Sequence, residues 1–389
     1  MSRSADRPWP IYLDGMATTP VDERVIAAML PYLHTYPGNP ASLSHAQGWQ
    51  AAAAVKQARR TIAKALHAQP EEIIFTSGAT ESNNLAIKGV AERYLAKGRH
   101  LVTVQTEHSA VLAPCRYLET LGFEVTYLGV DSQGLLDMGE LERSLRPDTV
   151  LVSVMAANNE IGVLQPLAEI GAICRERGIL FHTDAAQAIA KVPLDVVAQK
   201  IDLLSITGHK LYGPKGIGAL YLRRSVRLAP QLHGGEQERG VRSGTLATHQ
   251  IMGLATAIDL GLAEQAREQA RLIQLRNALW QDLQTLGGVY RNGHPTRCLP
   301  GCLSVSFAGV DGSALILAVQ KAIAVSSGSA CSSGKSAPSP VLRALGRPAR
   351  LAQATLRFGM GRFTTAEEIA EAGQGVREAV TSLRAAVRP

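Results

Sequence analysis

The 389-residue chain lacks long hydrophobic runs: none approaches the 18 or more residues that a membrane-spanning helix needs, and the run at Leu315–Val319 is far shorter. No apolar stretch follows the basic residues near the N-terminus, so no secretory signal is predicted. With 46% hydrophobic and 19% charged residues, the composition excludes a disordered or collagen-like chain. We therefore expect a globular protein that lies in the cytoplasm and does not bind membranes.

Cysteine is also scarce. The five cysteines are Cys115, Cys174, Cys298, Cys302 and Cys331. An odd number of cysteines without a signal peptide predicts free thiols and not a disulfide framework. Cys298 and Cys302 lack the C-x-x-C spacing of a zinc site, so no metal is expected.

Two nucleotide-binding patterns are missing as well. No G-x-G-x-x-G motif follows a predicted strand, and the Walker-like stretch Gly328–Ser336 has one residue too many between its glycines. The formal charge is +7, but the basic residues are spread along the chain and no aromatic-basic motif accompanies them. We expect a basic surface that attracts anionic ligands and no direct binding of nucleic acid.

Short apolar runs alternate with helical segments between residues 50 and 260. The runs are Ile73–Phe75, Leu101–Val104, Val125–Leu128, Val150–Met155, Ile179–His182, Leu203–Ile206 and Ala219–Leu222. One helix is predicted between Gln165 and Gly178, with Pro166 at its first position. Continuously apolar strands separated by helices predict an α/β fold with a mainly parallel sheet covered on both faces.

The pattern changes near residue 260. Leucines recur at helical spacing from Leu272 to Leu286, and the strand-like segments Leu303–Phe307 and Thr355–Phe358 flank a Ser/Gly-rich loop. A capping box at Thr365–Glu368 opens a last helix. These features predict a second, smaller α+β domain.

Polar residues follow three of the predicted strands. A small-residue turn at Ser77–Thr80 opens a helix, which makes it either a phosphate site or an ordinary helix cap. Asp184 ends one strand and Lys210 follows another, and ligands of open α/β sheets bind outside such carboxyl ends. Alone, Asp184 is more simply a strand-end cap and Lys210 a solvated lysine. Together they match pyridoxal phosphate, which needs a lysine, an aspartate and a phosphate cradle.

Motifs of one known family occur in order along nearly the whole chain. They are Tyr12-Leu13-Asp14, Ala17–Pro20, Thr76–Ser82, Thr106-Glu107-His108, Asn158–Gly162, Gly208-His209-Lys210, Arg242–Leu246, Ser326–Cys331 and Arg357-Phe358. Through them the chain resembles the cysteine desulfurases of iron–sulfur cluster assembly and nitrogen fixation, which are class V aminotransferases of pyridoxal phosphate fold type I. The resemblance implies a large cofactor-binding domain at 16–260 with a mainly parallel seven-stranded sheet, and a small domain at 1–15 and 261–389.

The resemblance also assigns cofactor contacts to this sequence. It implies that Lys210 holds pyridoxal phosphate through a Schiff base, that Asp184 pairs with the pyridine nitrogen, and that His108 stacks on the ring and moves protons. The implied cofactor-binding residues are Ala79, Thr80, His108, Asn159, Asp184, Gln187, Thr207, His209 and Lys210, with Thr245 reaching the neighbouring subunit of a homodimer. Lys215 is expected to be a structural loop lysine.

Asn159 and Arg357 are implied to bind the substrate carboxylate, because a guanidinium matches a carboxylate in two hydrogen bonds. A salt bridge is the alternative for Arg357. Cys331 alone of the five cysteines lies in a Ser/Gly-rich loop, and the other four are expected to be buried. The resemblance implies conversion of L-cysteine to L-alanine, with Cys331 attacking the substrate sulfur to form a persulfide. The catalytic residues are then Cys331, Lys210 and His108.

Other activities fit the same sequence. Selenocysteine lyases and cysteine sulfinate desulfinases share the scaffold, and a class V aminotransferase or a kynureninase-like hydrolase needs no Cys331. A basic RNA-binding or scaffold protein without enzymatic activity is the alternative from another class. As a desulfurase, the protein is expected to pass sulfur to acceptor or cluster-scaffold proteins, or to tRNA thiolation. Gly15 and Met16 replace an aromatic and a small polar residue common in the family, so packing near the site is expected to differ locally.

Overall fold

The larger sheet of the protein has seven strands in a computed structural model that describes residues 9–327 and 338–387. The strands are β2 Ile73–Thr76, β3 His100–Val104, β4 Glu124–Leu128, β5 Thr149–Ser153, β6 Leu180–Asp184, β7 Leu203–Thr207 and β8 Gly218–Leu222. Their order is β2-β8-β7-β6-β5-β3-β4, and only β8 runs antiparallel to its neighbours. The predicted α/β fold with a mainly parallel sheet is confirmed.

Helices cover both faces of this sheet. They include α3 Ala46–Ala65, α4 Ala79–Arg93, α5 Ser109–Thr120, α6 Met138–Ser144 and α7 Leu167–Glu176. Alternate strand residues point to opposite faces, so Val152 packs in one apolar cluster with α3 and α7, and Leu151 in another with α4 and α5. Pro166 precedes α7 as its N-cap and is not its first helical residue, a shift of one position from the prediction.

A second, antiparallel sheet contains β9 Val289–Asn292, β10 Cys302–Phe307, β12 Ser326–Ser327 and β13 Thr355–Gly359, in the order β12-β13-β10-β9. The elements around it are α9 Gly312–Val319, α10 Pro340–Ala344, α11 Ala349–Gln353 and α12 Ala366–Val387. Near the N-terminus, β1 Ile11–Tyr12 pairs in parallel with β11 Ile323–Ala324. Phe307 and Phe358 of this sheet are buried against α12 in a core of their own.

One long helix, α8 Thr248–Leu283, contributes to both cores. Leu254 packs with the seven-stranded sheet, and Leu279 packs with the small sheet. The domain boundary predicted at 260/261 therefore lies within a continuous helix. The short helices α1 Glu23–Met29 and α2 Pro31–His34 pack beside α8. Among the described residues no helix combines the length and the apolar character needed to cross a membrane.

Candidate active site

Polar side chains collect at the carboxyl edge of the large sheet. Asp184 is the last residue of β6, Lys210 lies in the turn after β7, and His108 caps α5 after β3. Parallel strands bring their carboxyl ends to one edge, so these residues meet although they are far apart in sequence. Burial lowers the pKa of His108, and the nearby charges act on it in opposite directions, Asp184 raising it and Lys210 lowering it.

Lys210 is held by the backbone of an N-terminal segment. Its Nζ donates hydrogen bonds to the carbonyl oxygens of Met16 (2.6 Å) and Ala17 (2.8 Å). Burial, followed by the nearby Arg357 guanidinium, lowers the pKa of Lys210 to about 8, while Asp14 and Asp184 oppose the shift. A lowered pKa increases the neutral amine that a Schiff-base lysine needs. Lys215, the structural loop lysine of the prediction, is exposed.

Asp184 is buried at 6% exposure. Its Oδ2 accepts a hydrogen bond from Asn83 Nδ2 at 2.7 Å, and its Oδ1 accepts one from the amide of Ala186 at 2.9 Å. These two hydrogen bonds fix the orientation of the Asp184 side chain. Asn83 lies in α4, directly after the Thr76–Ser82 motif. The sequence analysis gave this residue no role.

The predicted phosphate turn packs closely against β8. Gly78, with φ of 150°, caps α4, and a Cβ on Gly218 would lie 2.6 Å from the Gly78 Cα. The first amides of α4 have no acceptor within the helix and are available to an anion. Thr207 Oγ1 lies beside Gly78, and Thr80 lines a cleft of about 420 Å³ together with His108.

Two other predicted cofactor residues, His209 and Gln187, make side-chain contacts with the N-terminal segment that contains Met16 and Thr18. His209 Nδ1 pairs with Thr18 Oγ1 at 3.1 Å, and burial lowers the pKa of His209 to about 4. Gln187 donates from Nε2 to the Met16 carbonyl and accepts at Oε1 from Lys191 Nζ at 3.1 Å. Met16 thus joins Gln187 to Lys210. Burial lowers the pKa of Lys191, another residue that sequence reasoning missed, to about 7.

The segment that carries His108 is hydrogen-bonded to the loop after β5. His108 Nδ1 accepts from the amide of Ala110 at 3.1 Å. Glu107 is 4% exposed; its Oε1 accepts from the Met155 amide, and its Oε2 has no partner among the described residues. Burial raises the pKa of Glu107 well above its usual value. The backbone of this segment is therefore fixed by a buried acid.

Arg357, in β13 of the small sheet, faces the large sheet. Its Nη1 donates to the main-chain oxygen of Asn159 at 2.9 Å, a contact between the two residues that the sequence analysis did not predict. Its Nη2 donates to Asp14 Oδ1 (2.9 Å) and Ser326 Oγ (2.8 Å). The Nε atom is buried without a partner among the described residues. Asp14 belongs to the motif Tyr12-Leu13-Asp14, and the sequence analysis assigned it no function.

Thr245 is exposed, and the nearby Arg242 pairs with Glu81 in the first turn of α4 at 2.7 Å. Cys331 lies outside the described residues. The other four cysteines are buried, as predicted. Among the residues that the structure describes, no group of three or more metal-ligating side chains occurs.

Comparison with known proteins agrees with this geometry. The sequence pattern of one family, described as aminotransferase class-V, matches residues 11–371. The chain belongs to the aminotransferase class-V family. The protein is 56% identical over 377 residues to the cysteine desulfurase IscS of Neisseria meningitidis serogroup C / serotype 2a. This alignment covers 96% of the chain and 93% of the relative. The protein is 55% identical over 363 residues to a mouse cysteine desulfurase, covering 92% and 79%.

Solved structures show the same relationship. A NifS-like protein superposes with a TM-score of 0.91 at 37% identity, covering 96% of this chain and all (100%) of that one. The structure described as SspA in complex with cysteine gives 0.82 at 38% identity, covering 91% and 100%. As a class-V enzyme of this group, the protein uses pyridoxal phosphate, which was the cofactor predicted. A buried carboxylate, a lysine of lowered pKa and a free helix N-terminus at one sheet edge fit that cofactor.

Proposed function

We propose that this protein is a cysteine desulfurase that converts L-cysteine to L-alanine and transfers the sulfur to Cys331. The observation that carries the proposal is that one short segment holds both Lys210 and Arg357: the Met16 and Ala17 carbonyls accept from Lys210 Nζ, and the Asp14 carboxylate accepts from Arg357 Nη2. An amino-acid substrate needs both residues: its amino group reacts at the cofactor that the lysine holds, and its carboxylate binds a cation. The names of the relatives support cysteine as that amino acid.

Bound pyridoxal phosphate supplies an electron sink conjugated with the substrate α-carbon. In our proposal Lys210 holds the cofactor, Asp184 keeps a proton on the pyridine nitrogen and Gln187 meets the ring hydroxyl. The phosphate contacts would come from Ala79, Thr80, Thr207 and His209, and His108 would exchange protons near the ring. Asn159 and Arg357 would position the substrate carboxylate.

In the proposed reaction the sulfur atom of the substrate is transferred to Cys331. The thiolate of Cys331 would attack the substrate sulfur, the bond between that sulfur and the substrate β-carbon would break, and the β-carbon would keep the electron pair and take up a proton to give alanine. L-cysteine and one thiol thus become L-alanine and one persulfide, with no external oxidant or reductant. Delivery to iron–sulfur scaffold or other acceptor proteins, and the cytoplasmic location, remain part of the proposal.

We also propose that the enzyme is a homodimer in which Thr245 contacts the neighbouring cofactor. Thr245 is exposed, and the Arg242–Glu81 ion pair holds its segment. Ile26, Leu30 and Leu33 expose large apolar side chains on consecutive turns, at 49%, 50% and 55% exposure. Such surfaces commonly mark protein–protein contacts. A fully active monomer in solution would contradict this part of the proposal.

Replacing Cys331 with Ser tests the reaction. We expect Cys331→Ser to bind pyridoxal phosphate and yet form no alanine from L-cysteine, because serine lacks a thiolate. Cys174→Ala is the matched control, since burial raises the pKa of Cys174 to about 12. Mass spectrometry of the wild type after L-cysteine should find the added sulfur on Cys331 alone. Near-full alanine formation by Cys331→Ser would favour a selenocysteine lyase or sulfinate desulfinase instead.

A further inference from the structure

Arg357 already has an anionic partner in this structure. A guanidinium has five N–H donors, and three of its hydrogen bonds go to Asn159 O, Asp14 Oδ1 and Ser326 Oγ. The Asp14–Arg357 pair is largely buried, with side-chain exposures of 22% and 12%. An incoming carboxylate therefore meets a cation whose charge is balanced nearby, and whose Nε is buried without a partner among the described residues.

Asp14 has little freedom to leave Arg357. The Gly359 amide donates to Leu13 O at 2.6 Å, and the Gly15 amide donates to Gly359 O at 2.9 Å, so Asp14 lies between two hydrogen bonds to β13. A Cβ on Gly359 would approach the Met16 nitrogen to 2.5 Å, which shows how closely the two backbones pack. The Asp14 carboxylate is thus a fixed part of the site.

The two charges lie close to the amine that receives the substrate. Lys210 responds electrostatically to both Arg357 and Asp14, and its Nζ binds the carbonyls of Met16 and Ala17 directly after Asp14. A free amino acid carries an ammonium and a carboxylate at neutral pH. A fixed pair of opposite charges complements this zwitterion, whereas a carboxylate without an amino group is repelled by the aspartate and gains nothing in return.

We propose that Asp14 is a specificity-determining residue that makes the Arg357 site select zwitterionic amino acids over carboxylates that lack an amino group. This inference rests on the proposed role of Arg357 in binding the substrate carboxylate. It differs from a purely positioning role, in which Asp14 only orients the guanidinium. Asparagine retains the Oδ1 acceptor for Arg357 and Ser326 but lacks the charge, so Asp14→Asn separates the two roles.

The test compares a carboxylate that lacks an amino group, 3-mercaptopropionate, with a zwitterionic amino acid, L-alanine. Binding of 3-mercaptopropionate and of L-alanine to the holoenzyme is measured by calorimetry for the wild type, Asp14→Asn and Asp148→Asn. Asp148 also pairs with an arginine, Arg146, but both side chains are 40% exposed at the opposite edge of the large sheet. We expect Asp14→Asn to bind 3-mercaptopropionate about tenfold more tightly and L-alanine less than about threefold more tightly. Asp148→Asn should change neither by more than about twofold.

Equal factors for the two ligands in Asp14→Asn would overturn the inference and leave the proposed function intact. Arg357→Ala distinguishes the two failures: if it binds both ligands like the wild type, the substrate carboxylate does not lie at Arg357 and both proposals fail. Asp14→Ser removes the same charge and replaces Asp14→Asn if that variant does not fold. Ser326→Ala, which removes one hydrogen bond and no charge, should leave the ratio of the two affinities unchanged.

Discussion

The two sheets hold their functional residues in different ways. At the edge of the large sheet, Asp184 is bonded by Asn83 and Ala186, which belong to the same layered unit. Arg357 of the small sheet is bonded by Asn159 from the loop after β5 and by Asp14 from the N-terminal segment. We call Asp184 and Lys210 the cofactor half of the site and Arg357 the substrate half. The cofactor half is therefore built within one core, whereas the substrate half depends on how the two cores pack together.

Residues 14–17 and α8 connect the two cores. Asp14 contacts Arg357, and the carbonyls of Met16 and Ala17 contact Lys210 only two and three residues later. A short stretch of backbone thus sets the separation between the substrate cation and the cofactor lysine. Because Asp184 is held within one core and Arg357 is held where the two cores meet, changes in either half should still have separable effects on cofactor binding and on substrate binding.

The largest effect is expected for Lys210→Ala, which removes the central group of the cofactor half. Alanine formation should fall by at least about 10²-fold, because general acid–base catalysis alone contributes about 10²–10⁴-fold. Borohydride should no longer attach the cofactor chromophore to the protein. Lys215→Ala, a change at an exposed loop lysine, should retain activity. An attached chromophore in Lys210→Ala would contradict the assignment.

Matched truncations in α8 compare the two cores directly. Leu254→Ala and Leu279→Ala each create a cavity at a fully buried leucine and should each reduce the free energy of unfolding by about 2–5 kcal/mol. Leu254 packs in the cluster that contains Leu211 beside Lys210, so only Leu254→Ala should release the cofactor more readily on gel filtration. Equal cofactor loss in both variants would show that the cores do not act separately.

Arg357→Ala tests the substrate half. Its loss should cost about 2–3 kcal/mol of ground-state binding and raise KM for L-cysteine by about 30- to 150-fold. Cofactor absorbance should persist, because Asp184 and Lys210 keep their partners. Arg146→Ala, which breaks an exposed ion pair, is the control and should leave KM unchanged. An unchanged KM in Arg357→Ala would remove this residue from the site.

The smallest effect concerns Glu107 and pH. Burial raises the pKa of Glu107 in the folded state, so the folded protein binds more protons than the unfolded chain above about pH 4.5. Its contribution to stability is therefore present at low pH and declines as pH rises, by up to about 1.4 kcal/mol per pH unit. Glu107→Gln should lessen this decline in urea unfolding between pH 5 and 8, and the exposed control Glu142→Gln should not. A slope unchanged by Glu107→Gln would show that Glu107 is ionised.

Much of the cofactor half could be predicted because its signals are local. Each strand of the large sheet is a short apolar run, and Asp184 and Lys210 follow such runs directly. The sequence analysis missed Asn83 and Asp14 because their hydrogen-bond partners lie 101 and 343 residues away. It also missed Lys191, whose partner Gln187 is four residues away. The burial of Lys191, which lowers its pKa, cannot be predicted from the neighbouring sequence.

The sequence by itself determined the fold class, the order of strands and helices, and the edge where the cofactor residues collect, because hydrophobic periodicity and strand ends are local properties. It also predicted that four cysteines would be buried. Only the tertiary structure decided that α8 runs unbroken through both cores, that Lys210 rests on the Met16 and Ala17 carbonyls, and that Arg357 is paired with Asp14. These contacts join segments distant along the chain, and they exist only after two separately patterned cores have packed together.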